Sequence, residues 1–458
     1  MGRRKRHNRI VIQRIFAFIL TILVIAIIAF GGYMGVNYVL NNTDIKSLFE
    51  KKPQPEVTAA EEPSEEASED GDIWVRVQKE TISDDYADVD TSILSENEVS
   101  ENETPVDTDA EIELFINHMA LEEKVAQLFI VTPEQITGMD VVTRAGETTK
   151  NALTEYPVGG LIYFAQNLED PDQTKEMLSN TSSYIIDACG IAPFLSVDEE
   201  GGKVTRVASN ESFEVENIGA MSDIGAAEDI DKAYDAGTAI GKYLKPLGFN
   251  LDLAPVADVL DDNVESIIGD RAFSSDPETV SRFSWQFASG LQDSGVTACF
   301  KHYPGHGSVS GDTHAEAVYQ SKTKEELMET DLVPFQNAAL SDARMIMASH
   351  ITCREITGDD TPTSLSKIML TDILRNELGF NGVIITDAMN MGAVTNIYPD
   401  SGEAAITAIN AGADIILMPA DFHEAYNAVL SAASSGQIET ERVNDSLRRI
   451  LKIKLGKY

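Results

Sequence analysis

The chain of 458 residues carries 75 acidic against 35 basic side chains, a formal charge of −40. Repulsion between like charges excludes nucleic acid as a partner. Its 3 cysteines, Cys189, Cys299 and Cys353, are too few and odd in number for a disulfide framework, and their apolar settings predict buried free thiols.

The N-terminus divides sharply. Residues 1–14 hold Arg3, Arg4, Lys5, Arg6, Arg9 and Arg14, and Ile15 to Leu40 then runs without a charge. That span of about 25 residues suffices for one membrane-crossing helix. A cleaved signal peptide would carry a shorter apolar core of about 7–15 residues and a small-residue cleavage site, so an uncleaved anchor is the expectation. The basic flank sets the N-terminus in the cytoplasm and the remainder outside the cell. Residues 41–108 lose periodicity and fill with Glu, Asp, Ser, Thr and Pro, as in Glu61-Glu62-Pro63-Ser64-Glu65-Glu66, which predicts a self-repelling linker.

From residue 109 to residue 458, apolar runs alternate with amphipathic stretches. The runs are Val125–Val131, Val158–Phe164, Pro193–Val197, Asn250–Val256, Val296–Phe300, Arg344–Ser349, Gly382–Thr386 and Ala413–Met418. Between them, Asp229–Leu247, Pro277–Ser294, Lys324–Ser341 and Leu365–Leu378 read as helices bounded by Gly, Pro or Asp, and Glu441–Leu455 as a last one. Buried strands alternating with helices imply a parallel sheet, and this number of units in about 350 residues predicts a single (β/α)8 barrel. A doubly wound open sheet is the alternative, but no Gly-rich dinucleotide turn follows the first run.

A barrel places its chemistry after the strands. Polar groups fall there: Asp198-Glu199-Glu200 after the third run, Asp258 after the fourth, Lys301-His302 after the fifth, His350 after the sixth and Asp387 after the seventh. The densest stretch is Lys301 to His314, in which Pro304 blocks a helix and the glycines let a tight loop carry side chains inward. Lys301 and His302 are donors for a polar ligand, and Asp312, two residues before His314, can orient its imidazole and raise its pKa. His302 and His306 flank Pro304-Gly305 and cannot share a helix face as a zinc pair does, and no Walker lysine follows Gly305-His306-Gly307. Neither metal nor cofactor is expected.

Such a ring of charged hydrogen-bonding groups suits a polyhydroxylated ligand, hence a carbohydrate partner. Glycoside hydrolysis with retention needs a carboxylate nucleophile and a separate proton donor. Asp387, at the end of a buried strand, is the expected nucleophile, and His314 oriented by Asp312 the expected acid and base. His306 and Glu200 are the alternative acids.

Four segments, Val197-Asp198-Glu199-Glu200-Gly201-Gly202-Lys203-Val204-Thr205-Arg206, Gly269-Asp270-Arg271-Ala272-Phe273, Lys301–His314 and Thr386-Asp387-Ala388-Met389, resemble the bacterial β-N-acetylhexosaminidases of glycoside hydrolase family 3. The resemblance covers about Asp109 to Tyr458. It implies sugar-binding roles for Asp198, Arg206, Arg271, Lys301 and His302, an acid/base dyad of His314 and Asp312, and Asp387 as nucleophile. Tyr303 and Lys203 stand where the family more often has Phe and Arg. The implied activity is exo-hydrolysis of terminal β-linked N-acetylglucosamine, with cell-wall fragments as the expected source. A phosphorylase remains open, because a neutral imidazole leaves room for phosphate. A wall-binding protein without turnover is disfavoured by the presence of both Asp387 and His314.

Overall fold

The computed structural model describes residues 108–456. The expected cytoplasmic segment, the transmembrane anchor and all but the last residue of the linker lie outside the described residues. Among those described, no helix is long and apolar enough to cross a membrane.

Each apolar run supplies one strand: β1 (Phe129–Val131), β2 (Gly160–Ile162), β3 (Phe194–Val197), β4 (Leu251–Asp252), β5 (Thr297–Tyr303), β6 (Met345–Ala348), β7 (Val383–Thr386) and β8 (Ile416–Leu417). All are buried along their length, as strands covered on both faces must be. Every pairing is parallel, in the order β7-β6-β5-β4-β3-β2-β1-β8. The ring closes between β7 and β8 through the bridge Ile385↔Ile415, with Thr386 N donating to the Ile415 carbonyl at 3.0 Å. The expected eight-stranded parallel barrel is therefore the fold. Val197 pairs with Asp252 and Asp252 with Ala298, so β3, β4 and β5 run in step toward the face that carries the polar groups.

The helices begin where a side-chain acceptor can satisfy their first amides. Asp170, Asp276, Asp400 and Asp421 each cap a helix by accepting the backbone N–H three residues on. Pro171 and Pro277 follow their caps, where the missing N–H costs nothing.

Several elements depart from the expected bounds; the expected helix Leu365–Leu378, for one, is a π-helix over Ile368–Glu377. Val125 and Ala126 belong to the helix Leu121–Ala126 rather than to β1. The stretch Lys324–Ser341 is two helices, Lys324–Glu329 and Val333–Leu340, because Asp331 turns fully inward between them and Pro334 opens the second. The fifth strand continues through Tyr303, so Lys301 and His302 are strand residues and the loop starts later than the sequence suggested. All three cysteines are free, with Cys299 and Cys353 buried and Cys189 only half-buried.

At the opposite end of the barrel, buried Asp414 joins β7, β8 and the last helix, Thr440–Lys454. Its carboxylate takes Arg375, Arg442 and Arg449 as partners, the last two at 3.1 Å, along with the Ser446 hydroxyl at 2.8 Å and the Ile384 amide at 2.9 Å. Burial pushes this carboxyl up, and the three guanidinium groups outweigh it and hold it at about 2.

Candidate active site

β3 ends at Val197, and the next residues turn inward over the barrel mouth. Asp198 accepts from Lys301 Nζ at 2.8 Å, and an Arg206 terminal nitrogen stands 3.7 Å from its second oxygen. Lys301, on β5, also reaches Glu200 at 2.6 Å, and Arg271 grips Glu200 with two nitrogens at 2.7 and 2.8 Å. His302, the next residue of β5, donates from Nδ1 to Asp258 at 2.7 Å, leaving Nε2 3.5 Å from Arg271. The Arg206 guanidinium lies over the Phe164 ring at 5.5 Å. Asp198, Arg206, Arg271, Lys301 and His302, far apart in sequence, thus form one continuous network.

Asp387 directly follows β7, its amide tied to the Ala348 carbonyl at 2.8 Å and its carboxylate accepting the Ala388 N–H at 2.8 Å. Burial pushes this carboxyl up, but His350, His302, the Ala388 amide and Lys301 together hold it below the ordinary carboxylate value. An ionised, half-buried carboxylate held by imidazole, amide and lysine groups is what a nucleophile at an electrophilic carbon requires.

His314 and Asp312 stand on the loop that follows β5. The imidazole Nδ1 meets Asp312 Oδ1 at 2.7 Å, and the His314 amide donates to the same oxygen at 2.9 Å. The side chain of His314 is 71% exposed, leaving Nε2 open to a ligand. Burial pushes the Asp312 carboxyl up, and the His314 amide and ring reverse this, so its pKa is lowered. The loop is docked onto the segment after Asp387: Gly392 N donates to the His314 carbonyl at 2.9 Å and Ala393 N to that of Thr313 at 3.1 Å. A Cβ on Gly392 would stand 2.3 Å from the Ala315 carbonyl oxygen, so only glycine permits this approach.

Residues 120–453 match the glycosyl hydrolase family 3 N terminal domain. The chain belongs to glycosyl hydrolase family 3. It is 37% identical to a beta-hexosaminidase of Tolumonas auensis over 267 residues, covering 57% of this chain and 75% of that one. A family 3 beta-N-acetylglucosaminidase structure from a Paenibacillus species superposes with a TM-score of 0.69 at 32% identity, covering 74% of this chain. That comparison spans 63% of the Paenibacillus chain, just under two thirds of its length. A beta-N-acetylhexosaminidase structure from Beutenbergia cavernae gives 0.66 at 29% identity, covering 73% of this chain and 98% of that one.

In this family 3 barrel three further residues hold the site; the sequence offered Glu200 only as an alternative acid and gave Asp258 and His350 no chemical role. Glu200 has both oxygens committed to Arg271 and Lys301. Burial raises its carboxyl, those cations outweigh it, and the result is about 2, which removes Glu200 as a proton donor. Asp258, fully buried, takes the His302 ring and the His306 amide, the latter at 2.6 Å; against burial, these histidines hold its pKa down. His350 accepts from the Ser364 hydroxyl at Nδ1 and donates from Nε2 to the Ala388 carbonyl at 3.0 Å, bracing the turn that carries Asp387. Burial lowers the His350 pKa against the pull of Asp387, and the His314 ring adds to the lowering, so His314, His350 and Asp387 share one electrostatic neighbourhood. The available signal was position: each of the three follows a strand closely, where a barrel keeps its chemistry. His306 turns its ring inward, Nε2 at 3.2 Å from the Thr313 hydroxyl, and burial lowers its pKa.

Proposed function

We propose that this family 3 β-hexosaminidase is a retaining exo-enzyme that removes terminal β-linked N-acetylglucosamine through a glycosyl ester on Asp387. The observation that carries the reading is the pairing of an ionised, fixed carboxylate at the end of β7 with an exposed His–Asp dyad on a loop docked beside it. In the first step Asp387 attacks the anomeric carbon and the bond to the leaving oxygen breaks, while His314 Nε2 gives that oxygen its proton. In the second step His314 takes a proton from water, whose oxygen attacks the same carbon and releases Asp387 as carboxylate. Asp312 stabilises the imidazolium form and fixes which nitrogen faces the substrate. The network of Asp198, Arg206, Arg271, Lys301 and His302 holds the sugar hydroxyls.

The choice of N-acetylglucosamine is supported by the activity named for the Paenibacillus neighbour. Fragments of peptidoglycan are the proposed source, reached by a catalytic domain held outside the cell on the anchor of residues 15–40.

The test compares chromogenic β-N-acetylglucosaminide and β-glucoside substrates, with and without inorganic phosphate, in the wild type and in Asp387→Asn. Release from the first substrate alone, as free sugar, and its collapse by orders of magnitude in Asp387→Asn are expected, since an amide cannot form the ester. Equal release from the glucoside would overturn the substrate, and a sugar phosphate as product would make the enzyme a phosphorylase. Full turnover in Asp387→Asn would remove the nucleophile.

A further inference from the structure

The loop that carries His314 leaves the barrel and returns to it around one buried carboxylate. At its departing end, the Ser308 hydroxyl donates to Asp331 Oδ1. At its returning end, Lys322 Nζ meets Asp331 Oδ2 at 2.5 Å, and Gln320 Nε2 donates to Ser308 Oγ at 2.8 Å, joining the two roots directly. Thr330 Oγ1 completes the set at 2.7 Å from Oδ2. Asp331 is wholly inaccessible to solvent and lies in the break between the helices Lys324–Glu329 and Val333–Leu340. Its partners Ser308, Lys322 and Thr330 all stand apart from the sugar-binding network. Gly305, just past β5 with φ +134°, packs so tightly on it that a Cβ would stand 2.7 Å from the Asp331 Cβ.

A buried ion pair is a poor device for stability alone, because desolvation cancels most of the attraction, but it is a good device for specifying one geometry. Here it specifies the separation of the loop's two roots, and everything between them inherits that setting. Further along, the same loop is steadied by the Ser266↔Gly311 pairing, by His306 on Thr313 and by Gly392 on His314. These flanking contacts, with Ala393 N on the Thr313 carbonyl and the paired bonds of Val318 and Gln320 to Thr352, are hydrogen bonds between uncharged groups, whereas the root carries an ion pair and three hydroxyl or amide partners.

We propose that Asp331 is a positioning residue for proton transfer: by cinching Ser308 to Gln320 and Lys322, it holds the loop so that the His314–Asp312 dyad meets the leaving oxygen. This rests on His314 being the acid and base. A carboxylate that touches neither sugar nor Asp387 thereby controls the protonation step and leaves sugar binding alone.

The test uses the full chain as wild type, Asp331→Asn, Ser308→Ala and His314→Ala. Each is assayed on an N-acetylglucosaminide with an activated nitrophenyl leaving group and on one with a sugar leaving group, with melting temperature measured in parallel. Ser308→Ala removes the departing root's contact while keeping the Lys322 pair, so it answers the question even where Asp331→Asn fails to fold. In both root variants kcat/KM on the sugar leaving group should fall about 10- to 100-fold, the scale of a small misplacement of a catalytic group. On the activated substrate the fall should stay within about threefold, because that group leaves with little protonic help. A parallel fall on both substrates, tracking lost folded protein, or no fall on either, overturns the proposal. His314→Ala separates the two layers. If it discriminates between the leaving groups and the root variants do not, the inference about Asp331 fails alone; if it does not discriminate, the acid/base reading fails and the inference falls with it.

Discussion

Glu200→Gln would test the electrostatics of the site most directly. The wild-type carboxylate is the shared anion of two buried cations, bound to Arg271 at 2.7 and 2.8 Å and to Lys301 at 2.6 Å. Glutamine keeps the shape and removes the charge. Its oxygen can accept from one cation, and its amide N–H groups then face the other, donor against donor. Lys301 retains Asp198 at 2.8 Å, but Arg271 loses the anion it grips. Removing one partner of such a pair costs about 3–5 kcal/mol. At about 2.1 cal/mol/K of unfolding entropy per residue over about 350 residues, this lowers the melting temperature by roughly 4–7 °C. The pH dependence gives an independent check. The Glu200 pKa falls from an ordinary 4.5 to about 2 on folding, so its contribution is fully present above about 4.5 and is lost as pH falls toward 2. Melts of wild type and variant from pH 7 to about pH 3 should therefore converge on the acid side. Equal melting temperatures at pH 7, or a gap as wide at pH 3 as at pH 7, would refute this account. The same variant assigns the chemistry: activity should fall alike for good and poor leaving groups, and a steep dependence on the leaving group would return the proton-donor role to Glu200.

Three further outcomes are expected. His314→Ala should damage hydrolysis of poor leaving groups severely and of activated aryl ones far less, and mass spectrometry should detect sugar accumulating on Asp387; Asp312→Asn should act in the same direction more mildly. Gly392→Val should disturb the docked loop, since a Cβ there would sit 2.3 Å from the Ala315 carbonyl oxygen; a kcat loss of about tenfold or more with KM little changed would show it, and unaltered kcat would refute the close approach. Protease added to intact cells should release an active fragment beginning between Asn41 and Asp109, whereas full protection of the catalytic domain would reverse the proposed orientation.

The barrel was legible because buried parallel strands announce themselves as apolar runs, and every one of those runs contains a strand. Their ends were less so. The fifth run stops at Phe300 by hydropathy, yet the strand carries on through Lys301 and His302, whose polar tips are satisfied by Asp198, Glu200 and Asp258 from the segments after neighbouring strands. Such compensation comes from residues far away in sequence and leaves no local mark. For the same reason the dyad, two residues apart, was readable, whereas the bracing of Asp387 by His350 through a backbone carbonyl was not. Asp331 looked like one polar residue in an amphipathic stretch, and only the break in the helix reveals that it points inward.

The joint between the first and last strands has a consequence for how the enzyme comes into being. β1 and β8 pair through Phe129↔Ile416 and Ile130↔Leu417, so the two ends of the barrel meet only when nearly the whole domain has been synthesised. Contacts of such long sequence separation form late, after the entropy of a very large loop has been overcome. Asp387 is tied to the strand that makes this joint: Thr386 N donates to the Ile415 carbonyl, Leu417 N to the Thr386 hydroxyl, and Met389 N to the Leu417 carbonyl. Turnover is therefore expected only once β8 is seated between β7 and β1. The first appearance of turnover in a refolding reaction would time the closing of the ring, and chains still open between β1 and β8 would be inert bystanders in the meantime.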